Sequence, residues 1–379
     1  MVGLAPSRDA VKGWGRAARR PPGLCATLTA VPSLPTDASD LTPAWLSEVL
    51  GTTVVDVEVL DRAVATNQRM RIGLAYGEPG DGPASLFVKL AAPDPEHRKM
   101  IGASGMGERE AQFYADVAPS VQLRVPRAYW TATADDGSFI LLLEDLAAAG
   151  CAFSDGGWGV TADDAAGALE ELAGFHARFQ DPAVRSAVAP WLAAPRPPRT
   201  DSTARLLEMV LDKHRDRLTP AYIAAGELYV EHYDRIDELW NAGPQTYIHG
   251  DTHIGNVFLD GRRVGFFDWG LSRVSTPLRD VSYFLTMTVD PDERRRSEHE
   301  LLQLYLDALR AAGGPVIGFD EAWSVHRVQA AYTVVATFLA FMPSYAAGDG
   351  MGLGVALRRR SELALDDLDV VDALRAAVA

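Results

Sequence analysis

Apolar and polar residues alternate through the first third of the chain, the pattern of strands with one face buried. "TVVDVEVL" (53–60), "MRIGLAYG" (70–77) and "ASLFVKLA" (84–91) each predict a strand, with the turn "GDGP" (80–83) between the second and third. "VPRAYWTAT" (125–133) and "SFILLLEDL" (138–146) predict two more, joined as a hairpin at "ADDG" (134–137). Ahead of them "DLTPAWLSEVLG" predicts a helix capped by Thr42, opened by Pro43 and closed by Gly51. "GEREAQFYADVA" (107–118) predicts a single helix among the strands.

After Leu146 the period lengthens. "TADDAAGALEELAGFHARFQ" (161–180) places Leu169, Leu172, Ala173, His176 and Phe179 on one helical face, with Thr161 and Asp164 resembling a capping box. Further helices are expected around 201–217, 221–241, 294–312, 319–342 and 355–377. The apolar run "VQAAYTVVATFLAFMP" (328–343) is too short to span a bilayer and predicts a buried helix. One β-like window, 247–270, interrupts the helices. The fold class is therefore α+β, β-rich before a boundary near 146 and mostly helical after it. Prolines 21, 22, 32 and 35 break any apolar export core behind Arg19 and Arg20, and 1–40 is expected to be a flexible tail.

Charge narrows the function. With 51 acidic against 36 basic residues, the formal net charge is −15, which excludes the basic footprint of a nucleic-acid binder. The two cysteines, Cys25 and Cys151, form no paired motif; neither a disulfide framework nor a cysteine zinc site is expected, and a cytoplasmic location fits. No membrane partner is expected, and nothing in the pattern sets an oligomeric state.

The chemistry concentrates in "YIHGDTHIGNVFLDGRRVGFFDWG" (247–270). Asp251 and Asn256 lie five positions apart, and Gly255 between them favours a loop. Two short apolar strands then flank "DGRR", so a hairpin returns Asp268 to the neighbourhood of Asn256. A carboxylate and an amide oxygen that converge are hard ligands of the kind magnesium takes together with phosphate oxygens. Asp251 is then left to accept a proton from a hydroxyl. His249 is expected to hold the loop through hydrogen bonds. His249 and His253 are spaced like zinc ligands, but Gly250 disfavours the helix such a site needs.

A base Asp, an Asn five residues on and a second Asp 17 residues on, in "HGDTHIGN" and "FDWG", resemble the aminoglycoside phosphotransferase, choline kinase and ecdysteroid kinase-like family. The resemblance implies a bilobal protein-kinase-like fold, with a nucleotide-binding N-lobe over 41–145 and a C-lobe over 146–379 for catalysis and acceptor binding. It implies ATP and magnesium as cofactors, Asp251 as catalytic residue, and Asn256 and Asp268 as metal ligands. Lys89 in "FVKL" becomes the phosphate-binding lysine and Glu110 in "EREAQFY" its partner, with Glu108 the alternative. "LLLEDL" resembles the hinge whose backbone holds adenine between Glu144 and Leu146. The phosphate-covering loop falls in "LDRAVATNQRM" (60–70), which has no glycine, leaving backbone amides with Thr66 and Asn67. Trp269 stands where protein kinases have Phe.

The acceptor implied is a hydroxyl on a small molecule. An acidic surface suits an aminoglycoside or amino alcohol, whereas Trp323, Tyr332, Phe338, Phe341 and Tyr345 suit an apolar, steroid-like alcohol. Two other classes remain open: a non-catalytic nucleotide-binding interaction protein of the same fold, and a metal-dependent hydrolase.

Overall fold

The computed structural model describes residues 34–64, 67–78, 80–193, 201–341 and 351–379. Five antiparallel strands, β1 (Val54–Val64), β2 (Gln68–Tyr76), β3 (Ser85–Leu90), β4 (Ala128–Thr133) and β5 (Phe139–Glu144), form one sheet in the order β1-β2-β3-β5-β4. Helix α1 (Pro43–Leu50) covers one face. Thr42 caps it by accepting from Trp45 N–H, Pro43 opens it, and Gly51 ends it in the left-handed conformation. Trp45 meets Trp130 of β4 edge-on, with ring centroids 5.3 Å apart. Along β5, Ile140 and Leu142 face this layer, while Phe139, Leu141 and Leu143 face the core shared with the helical part. That two-sided burial is why "FILLL" reads as a continuous apolar run.

Two helices lie between β3 and β4. The first, α2 (Pro95–Gly102), is polar and lacks the apolar period that would have announced it. The second, α3 (Met106–Gln112), continues as a wider turn over Phe113–Val117 rather than as the single regular helix expected. Gly107 on α3 sits where a side chain would collide with the Phe139 ring, so the helix packs flush against β5.

The remainder is mostly helical: α4 (Ala162–Phe179), α5 (Pro182–Val188), α6 (Ser202–His214), α7 (Pro220–Trp240), α8 (Pro277–Met287), α9 (Pro291–Ala311), α10 (Phe319–Ala330), α11 (Tyr332–Thr337), α12 (Met351–Asp367) and α13 (Val370–Val378). Two small antiparallel pairs interrupt it: β6 (Thr246–Ile248) with β9 (Arg273–Ser275), and the hairpin β7 (Val257–Asp260) with β8 (Arg263–Phe266). The helix expected over 319–342 breaks between α10 and α11. The one expected over 355–377 breaks at Asp369, which adopts a positive φ of 46°.

Of the expected tail, residues 1–33 lie outside the described residues. Residues 34–40 are docked: the Thr36 carbonyl accepts from Gln68 Nε2 at 2.7 Å, and Asp37 pairs with Arg62 at 2.7 Å. Among the described residues, no helix is long and apolar enough to cross a membrane.

Candidate active site

The loop after β6 is shaped by a carboxylate beneath it. Asp280 of α8 is buried and accepts from the backbone N–H of His249 at 2.7 Å and of Gly250 at 2.8 Å. The Thr252 hydroxyl donates to the Asp280 carbonyl at 2.8 Å, and His176 Nε2 lies 3.3 Å from the carboxylate. Gly250 has φ of 84°, and a Cβ there would fall 2.5 Å from the Leu271 carbonyl oxygen, so the turn admits only glycine. Burial raises the pKa of Asp280, but His176, His249 and the Gly250 amide outweigh it and leave it below the ordinary value of 3.8. A depressed folded pKa contributes stability above the unfolded value and loses it as pH falls through the folded one. Asp280→Ala is expected to cost roughly 2–6 kcal/mol, because two buried amides lose their acceptor. Urea unfolding measures this, and the stability difference from the parent should shrink below about pH 4, the ordinary carboxylate range.

His249 joins this loop to the next. Its Nε2–H donates to the Phe267 carbonyl at 3.0 Å, and its Nδ1 accepts from the Asp251 N–H at 3.2 Å. Burial pushes its pKa down, which keeps the ring neutral and in that tautomer. The β7–β8 hairpin brings Phe267 N–H to within 3.0 Å of the Asn256 carbonyl, placing Asn256 and Asp268 at adjacent strand ends. Asn256 Nδ2 donates to Asp251 twice, to the backbone oxygen at 3.0 Å and to Oδ2 at 2.8 Å. Its own amide oxygen is left for another partner. His253 caps the short turn 254–256 by accepting from Gly255 N–H through Nδ1, and its Nε2 lies 3.5 Å from Asp251 Oδ2. Asp251 is therefore gripped on Oδ2, with Oδ1 outside that grip.

Asp268 adopts a positive φ of 61°, rare for a residue with a side chain, and this turns its carboxylate toward the sheet. There Lys89 Nζ lies 2.6 Å from Glu110 Oε2 and 3.1 Å from Asp268 Oδ1. Arg69 Nη2 reaches Asp268 Oδ2 at 3.3 Å. Burial works against the ionised form of all three groups. It is outweighed at Lys89, whose pKa rises under Asp268 and Glu110, and at Asp268, held down to about 2 by Lys89 and Arg69. At Glu110 burial wins over Lys89 and lifts the pKa to about 7. One ammonium is shared by two carboxylates, and the more enclosed one is penalised. Phe113, from the turn after α3, stacks on Trp269 with centroids 3.7 Å apart and planes 6° apart. Arg109 Nε donates to the Gly270 carbonyl at 2.9 Å. The helix carrying Glu110 is thereby fastened to the loop carrying Asp268.

These groups line a cavity of about 280 Å³ together with Phe87, Tyr114, Leu143, Phe153 and Phe267. Glu144 and Leu146, named from the hinge-like segment, line it as well. The Glu144 carboxylate is committed to Arg124 at 2.8 and 2.9 Å. Asn67 departs from expectation. It sits just ahead of β2 and, with Ala91 and Ala92, lines a separate, larger cavity of about 930 Å³ beside α2 and the β4–β5 turn. That cavity contains neither Lys89 nor Asp268 and is not where the chemistry gathers. Thr66 lies outside the described residues. Glu108 binds Gln112 at 2.9 Å, so it is not the partner of Lys89. The residues the sequence reading missed are Arg69 and Arg71, which alternate with buried Gln68, Met70 and Ile72 along β2. Arg71 grips buried Asp145 with two nitrogens at 2.9 Å. Period-2 alternation in "NQRMRI" was the available signal.

The aromatic residues offered as an acceptor wall are mostly packing. Phe338 belongs to the core of the C-terminal helices, Trp323 stacks on His299 at 4.1 Å, and Phe341 stacks on His214 at 4.9 Å. Tyr332 approaches the loop through a neighbour: it meets Tyr283 at 5.3 Å, and Tyr283 meets His253 at 6.1 Å. Tyr345 lies outside the described residues.

Residues 78–316 match the model of a family described as the phosphotransferase enzyme family. The chain belongs to that family. This phosphotransferase is an enzyme of the small-molecule kinase kind, with an alcohol group as acceptor. Its fold is similar to that of a candidate aminoglycoside phosphotransferase from Ralstonia eutropha, at 16% identity over 88% of this chain and 98% of that one, with a TM-score of 0.51. A choline/ethanolamine kinase family protein from Mesorhizobium loti aligns at 15% identity over 89% and 99% of the two chains, with a TM-score of 0.47. No curated protein matches the sequence. The phosphotransferase thus has the bilobal, protein-kinase-like α+β fold that its motifs implied.

Proposed function

We propose that this phosphotransferase moves the γ-phosphoryl group of ATP, with magnesium, to a hydroxyl of a small molecule in the cytoplasm. The observation that carries the reading is the meeting of Lys89, Glu110 and Asp268 in one cavity within 3.1 Å contacts. In this reading 41–145 binds nucleotide, and 146–379 supplies the catalytic loop and acceptor site.

The donor set fits the expected cofactors. Asn256 has its amide nitrogen engaged and its oxygen available, and Asp268 is ionised and already faces two cations. These two side chains would hold magnesium, and Lys89, steadied by Glu110, would meet the phosphates. A magnesium ion held by Asn256 and Asp268 would supply positive charge to offset the negative charge that develops during transfer. The apolar walls of Phe87, Leu143 and Phe153, beside the backbone from Glu144 to Leu146, suit an adenine ring. Asp251 orients the acceptor hydroxyl and takes its proton through Oδ1, while Asn256 and His253 keep Oδ2 fixed. Positioning and charge complementarity supply most of the rate.

The family match favours the phosphotransferase reading over a metal-dependent hydrolase. An aminoglycoside, a sugar or amino alcohol, and an apolar alcohol remain acceptors to be separated by assay. A screen of these classes with ATP and magnesium, read by ADP release, is expected to show turnover. ATP binding with no turnover on any alcohol would favour a non-catalytic binding protein instead. Asp268→Ala is expected to abolish the magnesium dependence of nucleotide binding; a titration with magnesium that matches the parent would remove Asp268 from the metal site.

A further inference from the structure

Behind the catalytic loop lies another cavity, about 550 Å³, between the turn 155–157, the start of α9 and one side of α12. Leu353 separates it from the loop. A Cβ on Gly255 would fall 2.6 Å from Leu353 Cδ2, and one on Gly156 would fall 3.4 Å from Leu353 Cα. Three arginines and three aspartates line the cavity, Arg295, Arg359, Arg360, Asp155, Asp290 and Asp292, and of these six Asp292 and Arg295 form an ion pair.

Backbone amides engage two of the carboxylates, and Arg295 engages the third. Asp155 accepts from Gly157 N–H at 2.8 Å. Asp290 caps α9 by accepting from the backbone of Asp292 and Glu293. Asp292 pairs with Arg295 at 2.9 Å, and Arg295 also binds Asp367 at 2.9 Å. Arg359 and Arg360 form no salt bridge with a described residue. Arg360 is only 5% exposed, and among the described residues it donates from Nη1 to the Val289 carbonyl at 2.7 Å. Arg359, beside it and exposed, makes no ion pair with any described residue. Burial depresses the pKa of Arg360 against the pull of Asp290, as for a cation desolvated more than it is paired. A buried guanidinium short of hydrogen-bond partners is expensive, and it presents a planar fork that matches carboxylate or phosphate oxygens.

We propose that this cavity binds a small ligand bearing a carboxylate or phosphate group, held between Arg359 and Arg360. The site is distinct from the cavity of Lys89 and Asp268, and the proposal does not depend on the nucleotide reading. It also touches the catalytic machinery. Val289, the acceptor for Arg360, follows Thr288, whose hydroxyl donates to the Thr252 carbonyl at 2.6 Å, next to Asp251. A ligand here would bear on the backbone that carries the catalytic base.

Calorimetric titration of the full-length protein with inorganic phosphate, and separately with succinate, tests this without nucleotide or acceptor. Saturable binding of at least one anion is expected, and which of them binds shows whether phosphate or carboxylate is the natural group. Arg359→Ala, an exposed change that should leave the melting temperature in place, is expected to weaken binding at least about tenfold, or ~1.4 kcal/mol. Arg360→Lys, which keeps the charge and removes the fork, is expected to weaken it as well. If neither anion saturates, or if the affinity of Arg359→Ala equals that of the parent, the proposal fails. In the latter case the anion is binding elsewhere, for example at Lys89. Should Arg360→Lys not fold, Arg359→Ala alone decides.

Discussion

Asp251→Ala will lower turnover by roughly 10²–10⁴-fold, the range for losing a positioned general base, and leave nucleotide affinity within about twofold, under ~0.5 kcal/mol. The two readouts separate because Asp251 does not line the cavity that contains Lys89, Asp268 and the hinge-like segment. Its side chain is tied instead to Asn256 and His253. Under the proposed function, removing it takes away the group that faces the acceptor and leaves the groups that face the nucleotide. ADP release with a turned-over alcohol gives the first quantity, and nucleotide titration by calorimetry gives the second. Parallel loss of turnover and affinity would show that Asp251 supports the nucleotide site structurally and is not the base.

Lys89→Met will strongly destabilise the fold and will also weaken nucleotide binding. Lys89 and Glu110 are 6% and 3% exposed, so removing the ammonium strands a buried carboxylate. Breaking a buried pair in this way costs about 3–5 kcal/mol. Glu110→Gln added to Lys89→Met should recover part of that loss, since it removes the stranded charge. The sign with pH follows from Glu110, whose folded pKa, at about 7, lies above the unpaired value of 4.5. A raised pKa favours the folded state at low pH, and that contribution disappears as pH rises through the folded value. Without Lys89 the pKa moves further up, so the cost of Lys89→Met should be smaller at pH 6 than at pH 8. Urea unfolding at both pH values checks this. A cost that is independent of pH would mean that Glu110 stays ionised through contacts other than Lys89.

Comparing pattern with structure shows which physical scales were legible. The continuous apolar run "FILLL" and the alternation in its neighbours gave all five strands, and the lengthened period after Leu146 gave the helical part. Helix α2 was missed because a polar helix on the surface has no apolar period to read. The break at Asp369 was missed because a left-handed aspartate carries no sequence signal as strong as glycine. Aromatic residues in the C-terminal helices were read as an acceptor wall, yet most fill a core; type alone does not tell which face of a helix meets solvent.

By itself the sequence determined the loop-and-hairpin geometry from Asp251 through Asn256 to Asp268. A turn and two short strands leave the chain little freedom over 17 residues, so spacing translates directly into proximity. It also placed Lys89 on a buried strand and Glu110 on the helix that follows, where an unpaired ammonium would be too costly to leave. Only the tertiary structure decided the rest: Arg69 against Asp268 across 199 residues, the Phe113–Trp269 stack, and Asn67 in a different cavity from Lys89. Those contacts join segments with no local geometry in common, and they are selected by how layers pack and by which buried charges must find partners.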